Sequence, residues 1–241
     1  MTEVSHGVYH IEGQDEFIPD SHMYVIGLPD SKDLSLVDAG LMGKGEYKIK
    51  SVRNLGISLQ DVKRIIMTHT HLDHIGCLRE IMEHLPHAEL WVHEEEAVPL
   101  EEGDERGVYG MDMFRSMCMS QYNLQPGAFK FHVTRALKGG ETLEIGGISW
   151  DVIHIPGHSA GSIALYQPTQ KVLIPGDTVY ADYSIGRFDL YGADGSALSR
   201  SLMRLAELDV GILLPGHNQI VIGVKPGYIL DTAKQWAPYL R

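Results

Sequence analysis

The stretch IIMTHTHLDHIG, residues 65–76, sets His69, His71, Asp73 and His74 within six residues, directly after an apolar run. Packing has no use for three imidazoles and a carboxylate at the end of a strand, whereas a metal ion has. His69 and His71 are two apart, so both rings lie on one side of an extended segment. Asp73 and His74 fall past the turn, at the start of a helix, and can face a second ion. Three later segments share one design: HIPGHS (154–159), LIPGDT (173–178) and LLPGHN (213–218) each run from apolar residues through Pro-Gly to His or Asp. Proline has no N–H and ends strand pairing. Glycine permits a sharp turn. The next side chain, His158, Asp177 or His217, is then presented at the rim of a sheet. Each alone would read as a turn residue, but the recurrence beside the His-rich cluster makes ligation the better account. Five imidazoles and two carboxylates exceed the four ligands of a structural zinc. With one of them shared they fit two ions and leave a position for water, the donor set of a two-metal hydrolase. His and Asp ligands accept Zn, Fe, Mn or Co.

These residues need strands that end at one rim. Apolar or alternating segments predict strands near 4–11, 23–28 and 34–38, and again at VKRIIMT and AELWVHEEE. GKGEYKIKSVRNLG reads as a helix closed by Gly56. HLDHIGCLREIMEHL reads as a helix from about Asp73, with Ile75, Leu78, Ile81, Met82 and Leu85 as its apolar stripe. Residues 95–130 are rich in Glu, Gly and Met and carry no clear strand. Beyond 131 come a hairpin around Gly146-Gly147, a second around Pro168-Thr169, a capped helix with a strand behind it, and a final helix interrupted by Pro238. Two clusters of strands and helices, about 1–95 and 131–241, predict two sheets packed face to face with helices outside.

The chain has 241 residues, enough for one large domain or two small ones, and a net charge of −12, which argues against a phosphate backbone as partner. No apolar run reaches the length of a membrane span. The N-terminus shows no secretory signal. Cys77 and Cys118 are the only cysteines and make no disulfide framework, so a reducing cytoplasm is the expectation. The expected partner is a small-molecule substrate, with neither nucleic acid nor membrane; a homo-oligomer is compatible with this reading. Of the other histidines, His6, His10, His84, His87, His132 and His154 read as surface or strand positions. His93 reads as the tie of a local loop. His22, just before a strand, is a candidate substrate contact or a plain flanking residue. Cys77 reads as a small apolar packing residue. Met113 and Met117, four apart, are either the apolar face of a helix or an adaptable wall over the site.

HTHLDH followed by isolated His, Asp and His resembles the metallo-β-lactamase superfamily, in its glyoxalase II-like and lactonase-like branch. The resemblance covers nearly the whole chain, and LSLVDAG places Asp38 at a strand end as that superfamily does. It implies an α+β fold, a four-layer αβ/βα sandwich in a single domain over 1–241, with about 95–130 as an insertion or lid. It implies that His69, His71 and His158 bind one metal, that Asp73, His74 and His217 bind another, and that Asp177 bridges them. Asp38 would orient a ligand or its loop by hydrogen bonds. The implied cofactors are two divalent ions per chain, zinc first, with Fe or Mn as alternatives.

The implied reaction is attack by a hydroxide held between the cations on the carbonyl of a small carboxylic thioester, ester or lactone, with Asp73 and Tyr180 as catalytic residues. Tyr180, three residues after Asp177, resembles the lactonases, where that tyrosine helps bind the carbonyl. YSIGRFDLYGADG resembles the glyoxalase II-like hydrolases, with Arg187 where those enzymes often carry a basic substrate-binding residue. Too few residues follow His217 for the helical domain by which glyoxalase II binds glutathione, so glutathione thioesters are not the expected substrate. Two same-fold alternatives are a mononuclear iron persulfide dioxygenase, which the seven-ligand set disfavours, and a phosphodiesterase, which the acidic charge disfavours. A silent binding module would have lost ligands.

Overall fold

The strands of the computed structural model, which describes residues 2–15 and 18–240, fall into two mixed sheets. The first contains β1 (Thr2–Ser5), β2 (Val8–Ile11), β3 (Met23–Ile26), β4 (Leu34–Val37), β5 (Val62–Ile66), β6 (Glu89–His93) and β7 (Arg135–Leu137). Its spatial order is its chain order, antiparallel as far as β4 and parallel from β4 to β7. The second contains β8 (Thr142–Ile145), β9 (Ile148–His154), β10 (Ile163–Gln167), β11 (Val172–Ile174), β12 (Ile212–Leu213) and β13 (Val221–Ile222). Here β11 and β12 are parallel and the other neighbours antiparallel.

Three apolar layers hold the sheets and helices together. Between the sheets, Val8, Tyr24, Val37 and Ile66 meet Leu143, Trp150, Leu165 and Ile174. The outer face of the first sheet packs on α1 (Gly45–Asn54), α2 (Leu72–Ile75), α3 (Leu78–His84), α4 (Glu94–Glu102), α5 (Arg106–Tyr109) and α6 (Asp112–Gln121). That of the second packs on α7 (Gly195–Leu205) and α8 (Tyr228–Trp236). The result is the expected αβ/βα sandwich. It explains why β3 reads as an unbroken apolar run and β4 as one broken only by the buried Ser35: both faces are covered. In α7, Asp194 caps the N-terminus by accepting from the Ala197 N–H at 2.8 Å, and Leu198, Leu202 and Leu205 form the buried stripe. No helix among the described residues is long and apolar enough to cross a membrane.

Three elements depart from the sequence reading. The strand expected over 4–11 is a hairpin, β1 and β2, turned at Gly7 with φ +70°. The helix expected from Asp73 is broken into α2 and α3, because the 39–42 loop enters the break. The Cys77 N–H donates to the Gly40 carbonyl at 2.9 Å, and a Cβ on Gly76 would lie 2.6 Å from the Met42 nitrogen. Nothing in an apolar stripe announces such an intrusion. The final helix is not interrupted by Pro238 but ends at Trp236: Ala237 still has helical backbone angles, and Pro238, which has no N–H to give to the Lys234 carbonyl, cannot continue the ladder. Residues 95–130 carry α4 to α6 and no strand.

Candidate metal centre

Both sheets send their ligand loops to one edge. From the first, β5 ends at Ile66, the Met67 N–H still donates to the Trp91 carbonyl at 3.0 Å, and the chain then peels away through 68–71 into α2. From the second, β9, β11 and β12 run out into the three Pro-Gly stems that carry His158, Asp177 and His217. The glycines serve two different needs. Gly157, at φ +136°, and Gly176, at φ +52°, take backbone conformations that side chains disfavour. Gly216 is not left-handed. It is required for room, because a Cβ there would sit 2.1 Å from Asp177 Oδ1 and 2.6 Å from His74 Cε1.

The seven candidate ligands form two clusters, His69–His71–His158 and Asp73–His74–Asp177–His217, and in each the donor atoms lie within 4.8 Å of one another. In the first, His158 Nε2 lies 2.8 Å from His71 Nδ1 and 3.2 Å from His69 Nε2. The outer nitrogens fix the tautomers of two of the rings. His158 Nδ1 faces the Arg187 carbonyl at 2.7 Å and must donate to it. His69 Nδ1 lies 3.2 Å from Thr68 Oγ1, whose own proton is given to Asp38, so it too donates. The inner nitrogens of His69 and His158 are therefore lone pairs aimed at one another, an arrangement that makes sense around a cation. Burial, reinforced by the neighbouring rings, holds the His69 imidazole well below its ordinary pKa and pushes His71 down to about 3.

The second cluster is built on opposite charges. His74 Nε2 lies 3.1 Å from Asp177 Oδ1, and His217 Nε2 lies 3.0 Å from Asp73 Oδ2 and 3.5 Å from Asp177 Oδ2. Asp177 Oδ2 is also 3.7 Å from His158 Nε2 of the first cluster. Burial opposes charge on every member, yet the mutual attraction wins. His74 is raised well above the ordinary imidazole value by Asp177 and Asp38, and His217 is raised by Asp177 and Asp73. Asp177 is held well below the usual carboxylate range by His217 and His74, and Asp73 is pushed down to about 2 by His217 and His74. Buried His74 Nε2, His217 Nε2 and Asp177 Oδ1 make no hydrogen bond of acceptable geometry. Deprotonated imidazoles and carboxylates converging in this way fit a divalent cation.

The supports of these ligands were only partly legible in the sequence. Asp38 adopts a left-handed φ of +60°, which costs a non-glycine residue about 1 kcal/mol or more. Its carboxylate earns that conformation: it accepts from the Thr68 N–H and Oγ1, both at 2.7 Å, and lies 2.9 Å from His74 Nδ1. Of segment 20–22 the sequence offered only His22, as a candidate substrate contact, and not its role as a tie. The Ser21 N–H donates to the Asp73 carbonyl at 3.1 Å and the His22 N–H to the Gly216 carbonyl at 2.7 Å, so this segment staples two ligand loops together. Beneath it the fully buried Lys48 donates to the Ser21 carbonyl at 2.5 Å and lies 3.2 Å from Asp20. Lys48 shares the inward face of α1 with Ile49 and Val52, and a charge on such a face was the available signal. The Tyr24 hydroxyl donates to the Pro215 carbonyl at 2.5 Å. Glu96, buried in the first turn of α4, accepts from Ser159 Oγ and from the Gly161 N–H at 3.2 Å, bracing the loop of His158.

Over the clusters lies a cavity of about 450 Å³, lined by His71, Asp73, His158, Asp177, His217 and Tyr180, among others. Tyr180 is held through its backbone, by Ser184 and by the Tyr228 hydroxyl, and burial followed by Asp177 raises its phenol well above the ordinary value. It stays protonated and can donate. Of the expected substrate contacts, Arg187 and Met117 line this cavity. The Arg187 guanidinium, however, is gripped by Asp189 through two bonds of 2.9 Å. His22 does not line it. Its Nδ1 accepts from the Gly13 N–H at 2.9 Å and its Nε2 lies 2.6 Å from the Asn218 carbonyl, so it is a tie between loops. Met113 does not line it either. It is 79% exposed, one helical turn outward, and Met111 and Phe114 stand in the wall instead. His93 caps α4 and stacks on His154, as a loop tie does.

Comparison with known proteins agrees with this geometry. Hydroxyacylglutathione hydrolase GloC of Haemophilus influenzae is 28% identical over 197 residues, spanning 78% of this chain and 82% of its own. The probable metallo-hydrolase YflN of Bacillus subtilis is 30% identical over 220 residues, 82% of this chain and 80% of its own. Among solved structures, the BLEG-1 B3 metallo-beta-lactamase superposes with a TM-score of 0.72 at 26% identity, covering 93% of this chain and 96% of that one. TTHA1623 in a di-iron-bound form superposes at 0.64 with 27% identity, covering 84% and 89%. The sequence model of one family matches residues 19–217, a span that holds all seven clustered ligands and the staple at 20–22, and the chain is thereby a member of the metallo-beta-lactamase superfamily.

Proposed function

We propose that the protein is a dinuclear metal-dependent hydrolase of a small carboxylic thioester, ester or lactone. The carrying observation is the reach of Asp177, one oxygen of which lies 3.7 Å from His158 in one cluster and 3.5 Å from His217 in the other. On this reading His69, His71 and His158 would hold the first ion, Asp73, His74 and His217 the second, and Asp177 would be shared between them. Bound divalent cations supply the Lewis acidity that polarises a carbonyl and makes water a nucleophile at neutral pH. The chain's own groups position and donate. Asp73, ionised beside His217, accepts a hydrogen bond from the attacking water and aligns it. Tyr180, protonated on the cavity wall, donates to the carbonyl oxygen as negative charge grows there. Asp38 fixes the ring of His74. The relative named as a hydroxyacylglutathione hydrolase supports thioester chemistry, and the neighbour with two irons supports iron beside zinc and manganese as the resident metal.

The test is elemental analysis of protein purified without chelator, followed by a rate panel of simple thioesters, esters, lactones and phosphodiesters. About two ions per chain and turnover confined to carboxylic substrates are expected. One iron per chain with oxygen consumption on a persulfide, or turnover confined to phosphodiesters, would replace this reading.

A further inference from the structure

The cavity over the two clusters has a floor and a wall of opposite character. The floor is the ligand set. The wall comes from α6 and its neighbours and presents Met111, Phe114 and Met117, with Leu190 and Ile18 facing them. The buried Cys118 roots α6 in the outer core, while Met117 in the wall is 36% exposed. Large apolar side chains left uncovered at the mouth of a cavity are a binding surface in waiting, and methionine tips adapt to chains of varied shape.

The charges around this wall point the same way. Among the described lining residues Arg187 is the one Lys or Arg, and its guanidinium is already bound two-fold by Asp189. Asp15 adds a further carboxylate to the lining. A substrate tail bearing carboxylates would leave water for apolar walls and meet no free cation. An uncharged hydrocarbon tail would gain from the same transfer.

We propose that this cavity selects substrates whose non-reacting part is an uncharged apolar chain of several carbons, and rejects tails that end in a carboxylate. The inference rests on the hydrolase reading for the placement of the ester or thioester group, and on the wall alone for the chain.

Two measurements test it. The first is the Kd of n-alkyl hydroxamic acids of two to eight carbons for the protein as purified. Each added methylene is expected to tighten binding about two- to fourfold until the cavity is filled. A hydroxamic acid of matched length ending in a carboxylate is expected to bind at least about tenfold more weakly. The second needs no metal. In chelator-treated protein, the ¹³C-methyl signals of Met111 and Met117 should shift with 1-hexanol and stay in place with adipate. The double change Phe114→Ala, Met117→Glu should flatten the chain-length series while leaving metal content unchanged. S-methyl hexanethioate against S-hexyl thioacetate then decides whether the chain sits on the acyl side or the leaving-group side. If the methyl signals ignore hexanol, or the carboxylate-ended probes bind as well as the alkyl ones, the inference is overturned. If elemental analysis finds no metal and the hydroxamates do not bind, while the methyl signals respond to hexanol, the hydrolase reading fails and the apolar subsite stands.

Discussion

In the cluster of His69, His71 and His158, burial keeps the His69 and His71 rings unprotonated, whereas in the cluster of Asp73, His74, Asp177 and His217 carboxylates hold protons on imidazoles. The first offers a cation lone pairs that are already bare. The second must surrender protons before it can bind. Their supports differ as well. The first leans on the Arg187 carbonyl behind His158, Thr68 behind His69 and Glu96 under the His158 loop. The second is tied by Asp38, the 20–22 staple and Tyr24. If both clusters bind ions, they would do so by different routes: one by solvent exclusion, the other by charge and rigid bracing.

The sharpest way to break this picture is to remove the joint. Asp177→Ala should lose both ions and lower turnover by about 10³-fold or more; wild-type metal content and rate would rule out a bridge. Tyr180→Phe removes a donor and no ligand. It should lower kcat by about 10²-fold with KM and both ions nearly unchanged, and equal rates would reduce Tyr180 to a packing residue. Asp38→Ala should weaken the second ion, whose His74 it touches directly, by about 10–100-fold, and the first, which it reaches only through Thr68, by less; competition with a chelator at two metal equivalents resolves the two.

A smaller effect lies in pH. His74 and His217 are raised above the ordinary imidazole value in the empty site, so protons compete there as pH falls. His69 and His71 are depressed, so protons compete little. Between pH 7.5 and 6.5 the second affinity should fall about tenfold further than the first, one extra proton's worth; parallel pH dependence would abolish the distinction. The smallest effect is expected from Glu96→Ala. It strips the Ser159 and Gly161 contacts and should weaken the first ion several-fold while the second is unmoved.

The clustering of the seven candidate ligands was legible because their chemistry has no structural excuse: three imidazoles cannot follow an apolar strand for packing. The fold was legible because strands covered on both faces read as unbroken apolar runs. What escaped the sequence is what depends on an approach from elsewhere in the chain. The break between α2 and α3 needs the 39–42 loop, and the staple at 20–22 works through backbone groups that every residue carries. Gly216 looked like its two sister glycines, although its need is for empty space alone and theirs is for backbone angle as well as room. His22 and Met113 were misplaced for a related reason. Proximity in sequence to the site fixed neither the loop that consumes both nitrogens of His22 nor the turn of α6 that faces Met113 outward.

The ligand loops of the two sheets meet at one edge, with His69, His71, Asp73 and His74 from one side and His158, Asp177 and His217 from the other. Ions seated there act as rivets across a seam. They would clamp two layers that elsewhere are joined by the apolar interior, by chain connections and by loop contacts such as the Leu28 N–H on the Gly146 carbonyl at 3.0 Å. Loading them should stiffen the seam before it stiffens either sheet, and withdrawing them should let the layers hinge open from that edge. Amide exchange in the Pro-Gly stems and in 68–71 should therefore quicken on chelation well before exchange in β3 or β10, and the order of quickening traces the path along which the sandwich comes apart.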